Sequence, residues 1–343
     1  MSARADLEHA GLLTGLLKSV SRSFYLTMQV LPGEVRNQIS LAYLLARTSD
    51  TIADTFIVPV ENRLETLRLY SEAIQGGNLP DGLFAPFLAG QGDHAEKMLL
   101  QRAREGIALL HAAGAPDKKD TQKVLEIIIS GQELDLKRFD LRVGDPVKAL
   151  PDAAALEEYT YRVAGCVGEF WTTICYRNLY HSVPSQAMIA RGIEYGKGLQ
   201  LINILRDMPG DFGQGRCYLP EDELRQINVN PAAILTAGEE KVRPVFNKWL
   251  DKAEKYVESG WEYTLDLPRR SIRLKLASAW PVLIGAKTIE MLRKQPILDP
   301  QRRVKISRPE VRKILLGSAF RLPFPGLWAA QFRNALPNRS KCC

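Results

Sequence analysis

The sequence predicts an all-α bundle built as a single large domain. Three observations point there. Apolar residues recur at three- and four-residue intervals over most of the chain, alternating strand patterns are scarce, and no breaker-rich stretch is placed as an interdomain linker would be. The 343 residues exceed the usual single-domain size, but a helical domain of that length can bury an extensive core. A composition of 45% hydrophobic and 25% charged residues excludes a disordered polymer.

Helical periodicity marks segments 34–55, 61–75, 95–113, 120–139, 154–180, 186–208, 239–265 and 270–295. Glycine and proline cluster at 76–92 (GGNLPDGLFAPFLAGQG) and at 208–220 (MPGDFGQGRCYLP). The first cluster reads as a surface loop. The second directly follows an acidic helix and reads as a flap over an active site.

Segment 34–55 carries Tyr43, Arg47, Asp50 and Asp54 at spacings of four, three and four. On a helix these fall within about 60° of one another. Leu41, Ala42, Leu44, Leu45, Ala46 and Ile52 make the helix apolar on most other sides, so it reads as buried with its polar stripe on an interior cavity. The Asp50 and Asp54 Cβ atoms would stand about 5–6 Å apart. Two carboxylates that close in a poorly solvated place repel unless a cation lies between them. Oxygen ligands without His or Cys select a hard ion such as Mg²⁺, which shares its shell with substrate phosphates. The stripe therefore implies a phosphate-bearing ligand. A single helical DxxxD is a weak signal, because a solvated face gives the same pattern.

A second set repeats the first. Gln200, Asn203, Asp207 and Asp211 span about 80° of an ideal helix. They lie among Leu199, Leu201, Ile202, Ile204 and Leu205, and Arg206 stands beside Asp207 as Arg47 stands near Asp50. Two apolar helices, each with a DxxxD, an arginine and further hydrogen-bonding groups, predict a paired metal–diphosphate site. Pro209 and Gly210 fall inside the second motif. Proline lacks an amide donor and disfavours helical geometry at Met208. The helix is therefore expected to kink or end near Asp207, with Asp211 reaching from a turn.

The net charge of +7 sits at one end: residues 301–343 hold ten Lys/Arg and one acid, against 36 bases and 38 acids in the other 300 residues. This sets a basic extension, 301–343, apart from a catalytic domain, 1–300, and points to an anionic partner. Anionic lipid fits better than nucleic acid, since no aromatic-and-basic recognition motif accompanies the charge. Phe320, Phe324, Leu327, Trp328 and Phe332 lie beside basic residues in segment 316–336. Two readings stay open for them: shallow contact with the cytoplasmic face of a membrane, or packing on the domain. No apolar run approaches the roughly 20 residues of a spanning helix, and MSARADLEHAG lacks a signal peptide's apolar core. The irregular spacing of Cys166, Cys175, Cys217, Cys342 and Cys343 fits a reducing, cytoplasmic setting better than a disulfide framework.

Four pieces, SRSFYL (21–26), YLLARTSDTIAD (43–54), YTYRVAGCVGEF (159–170) and LQLINILRDMPGDFGQGRCYLP (199–220), together resemble the squalene/phytoene synthase family, over roughly residues 15–295. The resemblance implies an isoprenoid-synthase fold around a central cavity. It implies that Asp50, Asp54, Asp207 and Asp211 hold Mg²⁺ and two prenyl diphosphates. Ser21, Arg22, Ser23, Tyr43, Arg47, Gln200, Asn203, Arg206 and Arg216 would line the diphosphate region, and Tyr159 would handle a proton in the first condensation, with Tyr43 and Arg47 alongside. Ser21 and Ser23 serve equally well as helix caps. Without its VAG flank, Tyr159 would read as a core tyrosine.

The implied chemistry is head-to-head. A departing diphosphate leaves an allylic cation, a second chain attacks, and proton loss gives a cyclopropyl diphosphate. Squalene synthases then use hydride from NADPH, whereas phytoene synthases end by proton loss. VKIS (304–307) resembles a basic segment near the nicotinamide phosphates of squalene synthases, which implies cofactor roles for Lys305 and Asn203. A lipid-facing basic tail explains Lys305 as well. GRCYLPEDEL (215–224) looks more like the phytoene-synthase version, and Ala53 stands where animal squalene synthases carry an acid. The leading expectation is squalene from two farnesyl diphosphates; the alternative is a phytoene or dehydrosqualene synthase. Terpene cyclases and chain-elongating prenyltransferases do not account for SRSF and YxYxVAG together. Four intact acids argue against a non-catalytic assembly factor.

Overall fold

The computed structural model describes residues 15–21, 24–140, 145–299 and 304–336. As expected, helices dominate the described residues, and the only sheet among them has two short strands. Two compact units are resolved: residues up to Asp140 with Phe170–Pro184, and Leu141–Glu169 with the chain from Ser185 onward.

The first unit contains α1 (Leu17–Ser21), α2 (Phe24–Val30), α3 (Gly33–Asp54), α4 (Val60–Gln75), α5 (Ala85–Gly90), α6 (His94–Gln101), α7 (Ala103–Ala112) and α8 (Ala115–Arg138). Helix α3 packs on α4, α7 and α8. Val35, Ile39, Leu44, Leu45 and Ile52 are buried on it, together with Thr48 and Ser49. Those two hydroxyls donate back to Leu44 O (2.9 Å) and Ala46 O (2.8 Å), so burial leaves neither unsatisfied. The C-terminal end of α3 is fixed by Arg63, a buried arginine whose Nη1 donates to Ala53 O at 2.7 Å. A cation at an orphan carbonyl also suits the helix dipole.

Two sequence expectations change here. Segment 95–113 divides at Arg102 into α6 and α7. The 76–92 stretch contains α5 and buries Leu79, Phe84 and Phe87, so it is only partly a surface loop. Its apolar residues outweigh its breakers.

The second unit contains β1 (Lys148–Leu150), α9 (Ala153–Thr160), a π turn (Tyr161–Gly165), the start of α10 (Cys166–Tyr180), α11 (Gln186–Gly213), β2 (Arg216–Pro220), α12 (Glu221–Gln226), α13 (Glu239–Asp266), α14 (Ile272–Lys294), α15 (Arg308–Arg321) and α16 (Pro325–Ala335). Helix α11 packs on α13, α14 and the π turn. Along the π turn and α10, backbone meets backbone. A Cβ on Gly196 would lie 2.1 Å from Ala164 O, and one on Gly168 would lie 1.8 Å from Gly192 O. Only glycine permits that approach.

The expected break near Asp207 does not occur: α11 runs through Pro209 to Gly213. Leu205, Met208 and Phe212, at i, i+3 and i+7, are all buried. Their common apolar face holds the chain helical despite the donor missing at Pro209, a case of packing overriding local preference. Nor is 208–220 a flap. Its second half is β2, paired in parallel with β1 (Lys148 opposite Arg216, Ala149 opposite Cys217), and Cys217, Tyr218, Leu219 and Pro220 are buried.

The C-terminal segment folds as a helical hairpin. Ser307 and Glu310 form a capping box that starts α15. Trp280 Nε1 on α14 donates to the buried Ser318 hydroxyl at 2.9 Å. On α16, Trp328 and Phe332 lie 5.2 and 5.8 Å from the ring of Trp261. These two aromatics therefore pack on the unit, while Phe320, Phe324 and Leu327 stay exposed.

Gly196→Ala is expected to cost about 2–4 kcal/mol, because the clash is with backbone. Gly210→Ala, on the same helix with nothing within 4 Å of its Cβ, should be neutral or stabilising by up to about 1 kcal/mol. Chemical denaturation of both variants checks the pair; equal effects would contradict the close seam.

Candidate functional site

On α3 the carboxylate of Asp50 is gripped from two sides. Gln132 Nε2, from α8, donates to Asp50 Oδ1 at 2.6 Å, and Arg47 Nη1 lies 3.7 Å from Asp50 Oδ2. The Arg47 guanidinium also pairs with Glu96. Glu96 accepts from Gln91 Nε2 at 2.9 Å, and its backbone amide is held by the Asp93 cap of α6. Tyr43 donates to Val20 O at 3.4 Å and its ring lies 5.3 Å from Phe24, tying α3 to α1 and α2. Ser21 is buried at the end of α1 and donates to Leu17 O at 2.5 Å. Arg22 and Ser23 lie outside the described residues.

Asp54 ends α3, one turn beyond Asp50, and is exposed. Desolvation, then the neighbouring Asp54 carboxylate, push the Asp50 carboxyl up to about 6. Its side chain nevertheless keeps 45% of its exposure, so solvent still reaches it.

On α11, Arg206 forks onto Asp207, with Nε to Oδ1 at 3.0 Å and Nη2 to Oδ2 at 2.7 Å. Asp211 stays on the same continuous helix and thus on the same face as Asp207. Burial pushes the Cys217 thiol up to about 12, and the Asp211 and Glu221 carboxylates add to this. Gln200 is half-buried and Asn203 exposed, while Arg216 opens β2. Tyr159 stacks on Tyr218 with centroids 5.0 Å apart and planes 21° from parallel. Its helix α9 is tied to α11 and α13 through Glu157, which pairs with Lys197 and Lys252 and accepts from Tyr256 at 2.9 Å. Lys305 is exposed on the extended stretch before α15.

The sequence profile described as "Squalene/phytoene synthase" matches residues 17–310. The chain belongs to that family. Its members are prenyltransferase-type enzymes of isoprenoid biosynthesis. Among relatives, a presqualene diphosphate synthase from Rhodopseudomonas palustris is 30% identical over 62% of this chain and 62% of its own length. A bifunctional lycopene cyclase/phytoene synthase from Phaeosphaeria nodorum is 27% identical over 65% of this chain and 36% of its own length. The chain thus spans less than two thirds of either relative. Among solved structures, that of TcSQS with the ligand BPH1237 superposes with a TM-score of 0.77 at 21% identity, covering 98% of this chain and 94% of that one. This likeness shows the fold, the isoprenoid-synthase-like all-α architecture.

Among the described residues, no group of three or more His, Cys, Asp or Glu side chains gathers to enclose an ion unaided. Mg²⁺ needs no such cage where one or two carboxylates, waters and phosphate oxygens complete its shell. The Asp50–Asp54 pair fits that ion: a cation would offset the desolvation, and then the Asp54 repulsion, that raise Asp50. Sequence reasoning missed Gln132 and Glu96. Gln132 sits in the polar run GQELD, and only the tertiary structure separates it from Glu133 and Asp135.

Without metal, the native state holds the Asp50 proton up to about pH 6, whereas the unfolded chain releases it near the ordinary aspartate value. Stability should therefore fall as pH rises between those points. Asp50→Asn is expected to stabilise the metal-free protein by on the order of 1 kcal/mol at about pH 8, discounted for the half-exposed side chain, and by nothing at about pH 3. Denaturant titrations at both pH values measure this. A variant weaker than its parent at the higher pH would contradict the crowding.

Proposed function

We propose that the protein joins two farnesyl diphosphates head to head through presqualene diphosphate to squalene, with Mg²⁺ at the acidic faces. One observation carries this reading. Each DxxxD lies on an unbroken helix with an arginine beside its first carboxylate: Arg47, paired with Glu96, stands 3.7 Å from Asp50, and Arg206 is forked onto Asp207. Each arginine is a planar donor matched to phosphate oxygens, within reach of the carboxylate that would hold the ion.

Bound Mg²⁺ would supply charge neutralisation of the departing diphosphate. Arg47 beside the first acidic face, and Arg206 and Arg216 in the second unit, would each add fixed positive charge for a diphosphate held at its own face. Asp50, Asp54, Asp207 and Asp211 orient by pairs, and Gln132 holds Asp50 in register for it. Tyr43 and Gln200 offer hydrogen bonds beside the same stripes, and Tyr159 offers a hydroxyl to carry the proton lost in the first condensation. An apolar surround would keep away water, which would trap an allylic cation. NADPH, if used, would supply the terminal hydride. Exposed Lys305 and Asn203 suit its phosphate and amide groups.

The relative from Rhodopseudomonas palustris supports condensation as far as presqualene diphosphate. A second reading, a phytoene or dehydrosqualene synthase without the reductive step, is favoured by the GRCYLPEDEL stretch around β2 and by the phytoene synthase relatives.

Purified protein incubated with Mg²⁺ and farnesyl or geranylgeranyl diphosphate, with and without NADPH, is expected to give squalene only with the shorter substrate and NADPH. Mass spectrometry of the products decides. Phytoene from the longer substrate, or dehydrosqualene irrespective of NADPH, replaces the first reading with the second. Asp50→Asn and Asp207→Asn should each lower turnover by at least about a hundredfold while the protein stays folded. Near-normal rates in both would remove the metal assignment.

A further inference from the structure

The geometry points to the corner between α15 and α16 as a docking surface for an anionic lipid bilayer. Leu316, Phe320, Phe324 and Leu327 are 61%, 76%, 58% and 58% exposed. Other exposed large apolar side chains among the described residues are scattered along the chain, whereas these four fall within one helical corner. Such a concentration marks a contact surface more than chance exposure does.

The packing beneath the corner explains why these residues point outward. Ser318 faces inward, buried and bonded to Trp280, so Leu316 and Phe320, two residues to either side of it, are turned roughly 160° away. On α16, Trp328 and Phe332 are committed to Trp261. The outward residues are thus held in place by a rigid underside.

Charge identifies the occupant. Arg312, Leu316 and Phe320 follow at i, i+4 and i+8 along one line of α15, cation first and apolar end last. Lys313, Arg321 and Arg333 are also exposed on these two helices. The one acid in 304–336, Glu310, is engaged in the Ser307 capping box. An apolar tip behind a cationic collar matches an anionic headgroup layer over acyl chains. A second copy would set collar against collar, so like charges oppose self-association there. No described helix is long and apolar enough to cross a membrane.

The test uses the full chain and flotation with vesicles of phosphatidylcholine, with or without phosphatidylglycerol. The protein is expected to float with the anionic vesicles at about 0.1 M salt and to release at about 1 M salt. Combined Leu316→Ser, Phe320→Ser, Phe324→Ser and Leu327→Ser should lower partitioning roughly tenfold with unchanged circular dichroism, since all four are exposed. Arg312→Glu with Lys313→Glu, a second and independent variant, should abolish the preference for phosphatidylglycerol. Equal flotation of both variants and parent, or no flotation of the parent, overturns the proposal. Lipid-free dimers seen by sedimentation and dispersed by the serine variant would assign the corner to a second copy and overturn it as well.

Discussion

Carboxylates repeated one turn apart, on helices that are apolar almost everywhere else, are the constraint on which this protein depends. Such a helix can be buried only if its polar stripe is compensated. On α3 the compensation is visible in Arg47, Gln132 and the back-bonded hydroxyls of Thr48 and Ser49. Desolvation, and then the Asp54 carboxylate one turn on, still hold the Asp50 carboxyl above the ordinary aspartate value. The same logic applies to α11, where Arg206 covers Asp207.

The scaffold supports this by fixing helix ends and helix faces. Arg63 closes the end of α3 at the carbonyl next to Asp54, and buried Lys275 does the same for α13 by donating to Thr264 O and Leu265 O. Neither side chain need touch a ligand. Each sets where a helix stops, and so where the last functional side chain stands.

Much of this was legible in the sequence, for identifiable reasons. Helices α3, α4, α13 and α14 follow from uninterrupted apolar periodicity, and the two acidic faces follow from spacing. Proline misled at residue 209, because its local cost is visible in sequence while the burial of Leu205, Met208 and Phe212 is not. Helix α15 escaped notice although Ser307 and Glu310 spell a capping box; Ser318 is its only buried residue, so no apolar stripe accompanies the cap. The Gln132–Asp50 bond joins residues 82 apart in the chain, a pairing no local pattern encodes.

The glycine contacts of α11 carry a mechanical consequence. Where Gly196 meets Ala164 and Gly168 meets Gly192, no layer of side chains separates the main chains. Rotamer changes cannot lubricate such a joint, so α11 cannot slide along its neighbour. Any change in the shape of this helix's surroundings must then come from exchanging residues on its other sides, with the joint itself serving as a fixed datum.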